Sequence, residues 1–186
     1  MSVVEKMSLD LYSETIESYA SGSVDNEFFN SGDEHAMIVL SILVQYAKKS
    51  IYIYCGNLCS EVSNNQKYLD NLRAFFKRGG IAKIALCELD ESKIDSKFLN
   101  KEIFKLFNEF SSQVSIKTTI KKVVENKTPV HFTIADDKAY RLETDIICKK
   151  ARGNFGSEKV VKVLEDIFWK VFNDPNSNLL SLTTYC

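Results

Sequence analysis

The chain has 186 residues, of which 45% are apolar and 26% are charged, and its formal net charge is −1 at pH 7. A chain of this length fits one domain, which removes about 70% of its unfolded surface from water, and 2 Pro with 7 Gly exclude long disordered linkers. The near-zero net charge excludes a global attraction to nucleic acid or to acidic membranes, so any basic surface must be local.

The five cysteines are odd in number. Three of them, Cys55, Cys87 and Cys148, lie in or beside apolar runs, where a reduced cysteine behaves as a small hydrophobe. This favours free thiols in a cytoplasmic protein over a disulfide framework. Cys55 and Cys59 are four residues apart, but no second Cys/His pair follows at the spacing of a zinc site. We therefore expect no metal site, and we expect no other cofactor.

The N-terminus lacks the basic region and the apolar run of a signal peptide. The most apolar segment, residues 36–47, is too short to span a bilayer and has the length of a buried helix. We therefore expect no association with a membrane.

The first 32 residues have a mixed pattern, and we predict an N-terminal extension that packs on the domain. Ser31 and Glu34 have the spacing of a capping box and open a helix that runs to about Lys49. This helix is apolar on nearly all sides and should be buried. Residues 51–55 form a continuous apolar run, which is typical of an inner parallel strand.

Helices and strands continue to alternate after this strand. A second helix is predicted from about Asn65 to Arg78, with Gly79-Gly80 as its C-terminal cap. The next strand is Ile81–Cys87, and a third helix lies near Asn100–Ser111. A third strand covers Val114–Ile120.

The segment Val130–Glu143 predicts a hairpin, with turn residues at positions 136–138. A short strand at about Ile146–Lys150 and a turn at Gly153–Gly156 lead to a final helix, which begins at Ser157 and ends near Phe172.

The order of elements predicts an α/β fold over residues 33–174, built as a three-layer sandwich with a mixed, mostly parallel sheet. The hairpin adds antiparallel strands to that sheet. Residues 175–186 are predicted to form a C-terminal tail.

His131 lies on the strand that follows the third strand–helix unit, and a glycine- and asparagine-containing turn precedes the long closing helix. This arrangement resembles one half of the phospholipase D superfamily, over roughly residues 33–173. The signature of that family is His-x-Lys-x-x-x-x-Asp, followed later by Gly-Ser-x-Asn. His131 matches the histidine, Thr133 stands in place of the lysine, and Lys138 stands in place of the aspartate. Only Gly153 matches the second motif in register.

The resemblance implies a metal-independent chemistry in which one histidine attacks phosphorus and a second histidine, from another half or chain, protonates the leaving group. Lysines and asparagines neutralise the phosphoryl oxygens, and the loss of one such group typically costs about a hundred- to a thousand-fold in rate. Thr133 carries no charge, so we expect a pseudoenzyme: a non-catalytic phospholipase D-like binding or assembly module, bacterial and linked to nucleic acid or defence. The alternative is a weak phosphodiesterase or nuclease that acts as a dimer through His131.

The degenerate, stand-alone members of the superfamily carry a His…Asp…Tyr-Arg-x-Glu pattern on this hairpin, matched here by His131, Asp136, Tyr140, Arg141 and Glu143. His131 is either a structural strand histidine or a remnant of a phosphate site. Arg141 and Glu143 point to one face of a strand. They form either a solvated pair or an ordered network that replaces the lost active site.

Two basic clusters flank the hairpin, one at Lys121, Lys122 and Lys127 and one at Lys149, Lys150 and Arg152. They form either a solvated rim or a groove that binds a nucleic-acid backbone weakly. The candidate binding residues are Thr133, Arg141, Glu143, Asn154, Lys121, Lys122, Lys149, Lys150 and Arg152. The expected partner is a second copy of the chain or another protein.

Overall fold

The computed structural model describes residues 3–58, 60–89 and 101–182. Cys59, Cys186 and the predicted helix start at Asn100 lie outside the described residues. The described helices are α1 (Val3–Gly22), α2 (Gly32–Tyr46), α3 (Gln66–Lys77), α4 (Glu102–Glu109) and α5 (Glu158–Phe172). The strands are β1 (Phe28–Asn30), β2 (Ser50–Cys55), β3 (Ile81–Leu86), β4 (Val114–Thr118), β5 (Val124–Glu125), β6 (Thr128–Pro129), β7 (His131–Ala135), β8 (Ala139–Asp145), β9 (Lys150–Asn154) and β10 (Asn178–Leu179).

Eight of these strands form one sheet in the order β1-β9-β8-β7-β2-β3-β4-β10. The neighbours β2, β3 and β4 are parallel, and the other neighbouring strands pair antiparallel. Strands β5 and β6 form a separate small hairpin. This arrangement confirms the predicted α/β class and the mixed sheet.

Helices cover both faces of the sheet, as a three-layer sandwich requires. On one face, α5 presents an apolar stripe at helical spacing, which includes Leu164, Phe168 and Phe172. This stripe packs against Phe132 and Tyr140 of the sheet. Each buried large apolar side chain stabilises the fold by about 1.5–3 kcal/mol relative to an exposed one. Helix α5 therefore holds the β7–β8 hairpin against the parallel strands.

Helices α2, α3 and α4 cover the other face, and α1 packs on the outside of α2. Asn65 caps α3 by accepting hydrogen bonds from the backbone N–H groups of Lys67 and Tyr68 at 3.0 and 3.3 Å. Gly79 has φ +87°, which confirms the predicted cap at the other end of that helix. The capping box predicted at Ser31 is wrong, because the Ser31 side chain makes no capping hydrogen bond.

The β7–β8 hairpin is anchored to the start of β2. Asp136 occupies its turn with φ 54°. The Asp136 carboxylate accepts hydrogen bonds from the backbone N–H groups of Lys48, Lys49 and Ser50 at 2.8, 2.7 and 3.0 Å. In the resulting register, Tyr54 lies opposite Phe132. The N-terminal end of β7 therefore lies beside the C-terminal end of β2.

The segment before residue 33 contributes to the sheet itself. Strand β1 pairs with β9 at one edge, where Phe28 is buried and Phe29 is exposed. At the opposite edge β10 pairs with β4, and Leu180 is buried beside it. The predicted division at residues 32 and 174 stays a prediction, and these contacts join both flanking segments to the central sheet.

The strand predicted at Ile146–Lys150 is wrong by four residues. Asp145 accepts a hydrogen bond from the backbone N–H of Cys148 at 3.0 Å, and Lys149 has φ 51°, so residues 146–149 form a turn. Strand β9 begins only at Lys150, and Gly153 and Asn154 belong to it rather than to a turn. Within the described residues, no helix is both long and apolar enough to cross a membrane.

Candidate functional site

A cleft of about 220 Å³ opens where β2 ends and β7 begins. Its walls come from the end of β2 and the loop after it, from the first turn of α3, and from the open end of the β7–β8 hairpin. Side chains that line it include those of Cys55, Glu88, His131, Thr133, Arg141, Glu143 and Lys149. The C-terminal ends of parallel strands are the usual place for a ligand site in such a sheet.

A chain of charged and polar groups runs along the floor of this cleft. His131 and Glu143 face each other across the hairpin, with 3.4 Å between Nδ1 and Oε2. Glu143 Oε1 also accepts a hydrogen bond from Arg141 Nη2 at 3.1 Å. Arg141 further donates to Asn30 Oδ1 and to the Lys149 carbonyl, both at 3.4 Å. Arg141 and Glu143 are both buried, so they form an ordered network rather than a solvated pair.

The network fixes the protonation state of its members. Burial disfavours a charge on His131, but hydrogen bonds to Cys87 and Glu143 outweigh burial and raise the pKa of His131 to about 9. Burial likewise disfavours a charge on Glu143. The hydrogen bond from His131 and the charge of Arg141 nevertheless hold the pKa of Glu143 below its ordinary value. At neutral pH the cleft therefore holds an imidazolium paired with a carboxylate.

Thr133 and His131 are two residues apart on β7, so their side chains share the face of the sheet that lines the cleft. Thr133 is buried, and in the strand register it lies opposite Ile53 on one side and Arg141 on the other. It brings a hydroxyl group to the position where the resemblance calls for a lysine. The guanidinium of Arg141 is the buried cation of the network, and it is already bound to Glu143.

The predicted basic clusters lie at the rim rather than in the cleft, with Lys149 as the member that lines it. Four of their members have carboxylate partners in the described part of the chain. These pairs are Lys121–Asp174, Lys149–Asp33, Lys150–Asp145 and Arg152 with Glu27 and Glu125. Lys122 is exposed. Most of the positive charge predicted to meet a phosphate backbone is thus balanced within the chain.

Asn154 is not brought to the cleft. It is buried, its Nδ2 donates to Asp25 at 2.9 Å, and its Oδ1 accepts from the Gly156 backbone N–H at 2.7 Å. The amide oxygen therefore holds the connection between β9 and α5, and the amide nitrogen joins β9 to the loop between α1 and β1.

Sequence reasoning missed that Tyr54 and Cys87 lie near His131. The ring of Tyr54 lies 6.3 Å from that of His131, measured between centroids. Cys87 follows the neighbouring strand β3, and its backbone N–H donates to the Cys55 carbonyl at 2.9 Å. The pattern at Cys87 indicated a small buried hydrophobe, because it ends an apolar run. The available signal was its place at the C-terminal end of a parallel strand next to β2, where polar side chains from neighbouring strands meet.

No family model matches the sequence, and no curated protein matches it. Solved structures with the same fold do exist. TrmBL2, an archaeal chromatin protein with a novel mode of DNA binding, superposes with a TM-score of 0.63 at 13% identity, over 95% of this chain and 62% of its own. The chain thus spans less than two thirds of that protein.

Two bacterial proteins give similar agreement. Nuc from Salmonella typhimurium, a phospholipase D family member, has a TM-score of 0.56 at 13% identity, over 84% of this chain and 99% of its own. NucT from Helicobacter pylori has a TM-score of 0.59 at 10% identity, over 84% of this chain and 100% of its own. At these identities the likeness shows the fold alone, and it confirms the fold predicted from the order of elements.

Proposed function

We propose that this chain, which has the phospholipase D-like fold, is a non-catalytic binding module that works as a self-associated assembly in the bacterial cytoplasm. The observation that carries the proposal is the state of His131, whose imidazole is paired with the Glu143 carboxylate and whose pKa is raised. An imidazole that attacks phosphorus must be neutral at the attacking nitrogen. With a pKa of about 9, about one ring in a hundred is neutral at pH 7.

The charge around the cleft also argues against phosphoryl transfer. Glu88 and Glu143 bring carboxylates to its lining, whereas Thr133 replaces the expected lysine. The charge of Arg141 is balanced by Glu143, and that of Lys149 by Asp33. Efficient hydrolysis needs preorganised positive groups aimed at the developing charge, and each missing group costs about a hundred- to a thousand-fold.

The edge of the sheet that carries the cleft also exposes apolar side chains. Ile120 follows β4 and is 79% exposed, and Ile147 follows β8 and is 94% exposed. Both lie at the same edge, because β4 and β8 run in the same direction as β2. Single exposed apolar side chains are common on monomers, but both of these lie at the edge that carries the cleft, and from this placement we infer that another protein covers the edge. A second copy of the chain is the partner that we propose.

Cys55, Cys87 and Cys148 are free thiols, which supports the cytoplasm as the compartment. Nucleic acid is a secondary partner in this proposal. The likeness to a DNA-binding chromatin protein supports it, but the internal pairing of the rim cations makes the expected affinity low.

Sedimentation tests self-association directly. The wild type should sediment above its monomer mass of 21.2 kDa, and Ile147→Glu or Ile120→Glu should return it toward the monomer. Leu11→Glu is the matched control, because Leu11 is 65% exposed on α1. A wild-type mass that stays at the monomer value at every concentration would contradict the proposal.

A weak phosphodiesterase acting through His131 is the second candidate, and one observation favours it. Glu143 holds Nδ1 of the imidazole, which is how an orienting carboxylate positions a catalytic histidine. Incubation with DNA, RNA and a chromogenic phosphodiester in EDTA should show no turnover. Turnover that disappears in His131→Ala and persists in His35→Ala, the chain's other histidine, would establish this candidate and overturn the non-catalytic assignment.

A further inference from the structure

A second cavity lies at the edge of the sheet where β1 ends and α2 begins, and the proposed binding function does not use it. Its volume is about 580 Å³, which is within the range of sites for small organic ligands. Its walls come from α1, β1, the start of α2 and the paired ends of β8 and β9. None of the described residues that line it also lines the cleft, so the two sites are separate.

One buried polar group in the wall of this cavity lacks a partner. Asn30 is only 7% exposed. Its Oδ1 accepts a hydrogen bond from Arg141 Nε at 3.4 Å, whereas its Nδ2 has no hydrogen-bond partner among the described residues. Turning the amide over would bring its NH₂ group against the Arg141 N–H, so the donor cannot be satisfied in that way. Buried donors are normally paired, and this one is left for an acceptor from outside the chain.

Aromatic side chains form another part of the cavity. Tyr12 and His35 contact edge to face, with 4.5 Å between their ring centroids. The carbonyl of Ser31 accepts a hydrogen bond from His35 Nδ1 at 2.9 Å, which fixes the imidazole. Phe29 lines the same cavity and is 70% exposed. These rings offer a planar ligand surfaces on which it can stack.

The charged side chains that line the cavity are cationic. They are Lys150 and Arg152, and none of the described lining residues is an aspartate or a glutamate. Arg152 is paired with Glu27 and Glu125. The pair between Lys150 and Asp145 spans 4.0 Å and is exposed, so Lys150 can exchange this partner for a ligand anion at little cost. The cleft differs in this respect, because two glutamates line it.

We propose that this cavity binds a small ligand that carries an aromatic ring and one anionic group, as a mononucleotide or an aromatic carboxylate does. The ring stacks on the aromatic side chains, the anionic group binds Lys150, and an acceptor atom of the ligand satisfies Asn30 Nδ2. A neutral aromatic molecule lacks the ionic contact, and an inorganic anion lacks the stacking. Both should therefore bind more weakly than a ligand that has the two groups together.

Access to the Asn30 nitrogen requires a side chain of the wall to move, because this atom is covered. Tyr12 is weakly held: its hydroxyl donates to the Phe29 carbonyl at 3.5 Å, the outer limit of a hydrogen bond. Burial raises the pKa of Tyr12 to about 12, and the charge of Arg141 opposes this rise. The phenol is therefore neutral at pH 7 and does not repel an anion.

The two histidines of the chain report on the two sites separately, because His35 lines the cavity and His131 lines the cleft. Their imidazole proton signals in NMR spectra can be assigned with His35→Gln and His131→Gln. The full chain is then titrated with adenosine monophosphate and with salicylate, which separate a mononucleotide from an aromatic carboxylate. We expect at least one of them to shift the His35 signal, with half-saturation at or below about 1 mM. The His131 signal should shift less.

Matched probes and variants test each contact. Adenosine and inorganic phosphate should each bind at least about tenfold more weakly than adenosine monophosphate, if that is the ligand class. Asn30→Asp keeps an oxygen for Arg141 but replaces the donor nitrogen with a charged oxygen, so it should abolish binding. Lys150→Gln should weaken binding by about tenfold. Lys127→Gln, at an exposed position outside the cavity, should leave it unchanged.

A His35 signal that neither adenosine monophosphate nor salicylate shifts overturns the proposal, and the amide of Asn30 then serves a bound water only. A His131 signal that saturates at lower concentrations than that of His35 also overturns it, because the ligand then occupies the cleft. So does unchanged affinity in a folded Asn30→Asp or Lys150→Gln variant. The wild-type titration needs no variant, so a variant that fails to fold does not weaken the test. Self-association is measured by sedimentation, and its outcome is independent of this one.

Discussion

The two ends of the β7–β8 hairpin each carry a carboxylate, and the two carboxylates have different partners. At the turn, Asp136 accepts hydrogen bonds from three backbone N–H groups at the start of β2. At the open end, Glu143 pairs with the side chains of Arg141 and His131. The first arrangement satisfies main-chain groups and positions the strands. The second concentrates ionised side chains in the lining of a cleft.

The difference between the ends has a thermodynamic consequence. The partners of Glu143 are side chains that can be removed together with it, but the partners of Asp136 are main-chain groups that every substitution leaves behind. Joint replacement should therefore recover stability at the open end and cannot do so at the turn.

The largest effect is expected at the open end. Arg141→Met leaves the Glu143 carboxylate buried with only His131 as a cationic partner, which should lower the free energy of unfolding by about 3–5 kcal/mol. Adding Glu143→Leu removes the stranded charge and should recover a large part of this loss. Chemical denaturation of the single and double variants measures both effects. A double variant less stable than Arg141→Met would show that the pair is required for packing beyond its charge.

At the turn we expect a smaller loss of stability, which no second substitution can recover. Asp136→Ala removes three acceptor contacts, two of them solvent-exposed, so water replaces part of what is lost. The free energy of unfolding should fall by about 2–3 kcal/mol. Asp137→Ala, at the exposed neighbouring position, should change it by less than about 0.5 kcal/mol. Equal losses at the two positions would mean that the carboxylate does not anchor the hairpin.

The pH dependence of stability separates the two ends further. The pKa of His131 is raised from 6.5 to about 9. Its contribution is therefore complete below about pH 6.5 and is lost as the pH rises through 9. Between these limits stability should fall by about 1 kcal/mol per pH unit.

Glu143 has the opposite pH dependence. Its pKa is lowered, so its contribution to stability is present above about pH 4.5 and is lost as the pH falls. His131→Gln should abolish the fall in stability at alkaline pH, and His35→Gln should leave that fall unchanged. Melting temperatures recorded from acid to alkaline pH provide the measurement. An alkaline slope that survives in His131→Gln would assign it to another group.

Much of the fold was predictable because burial imposes a period on the sequence. Helix α5 and strand β2 were found in nearly their correct positions from apolar stripes and runs. The turn at residues 146–149 was not, because it depends on one hydrogen bond from the Cys148 N–H to Asp145 and on the backbone conformation of Lys149. No periodic pattern encodes those features.

The candidate site divides in the same way. His131, Arg141 and Glu143 were found through the resemblance to the family's motifs, and strand alternation placed Arg141 and Glu143 on one face. The contact between the rings of Tyr54 and His131 was missed because it joins strands that are distant in the sequence and depends on the order of strands in the sheet. The carboxylate partners of the basic clusters were missed for the same reason. Asp33 and Glu27, for example, come from the segments that precede the central strands.

The smallest effect concerns this rim, where exposed pairs should contribute little to stability. Lys150→Gln breaks a pair at 4.0 Å in which both side chains are more than a third exposed, and it should change the free energy of unfolding by less than about 0.5 kcal/mol.

The same pairs nevertheless decide whether the rim can bind nucleic acid. If these carboxylates prevent the cations from binding DNA, Asp33→Asn should free Lys149, and the combined variant Glu27→Gln with Glu125→Gln should free Arg152. Each freed cation that contacts duplex DNA should steepen the slope of log K against log salt by about 0.9. Fluorescence titrations over a range of salt concentrations measure the slope, with Asp137→Asn as the matched control. If the two variants bind DNA no better than the wild type, the rim is a solvated surface and nucleic acid is not a partner of this face.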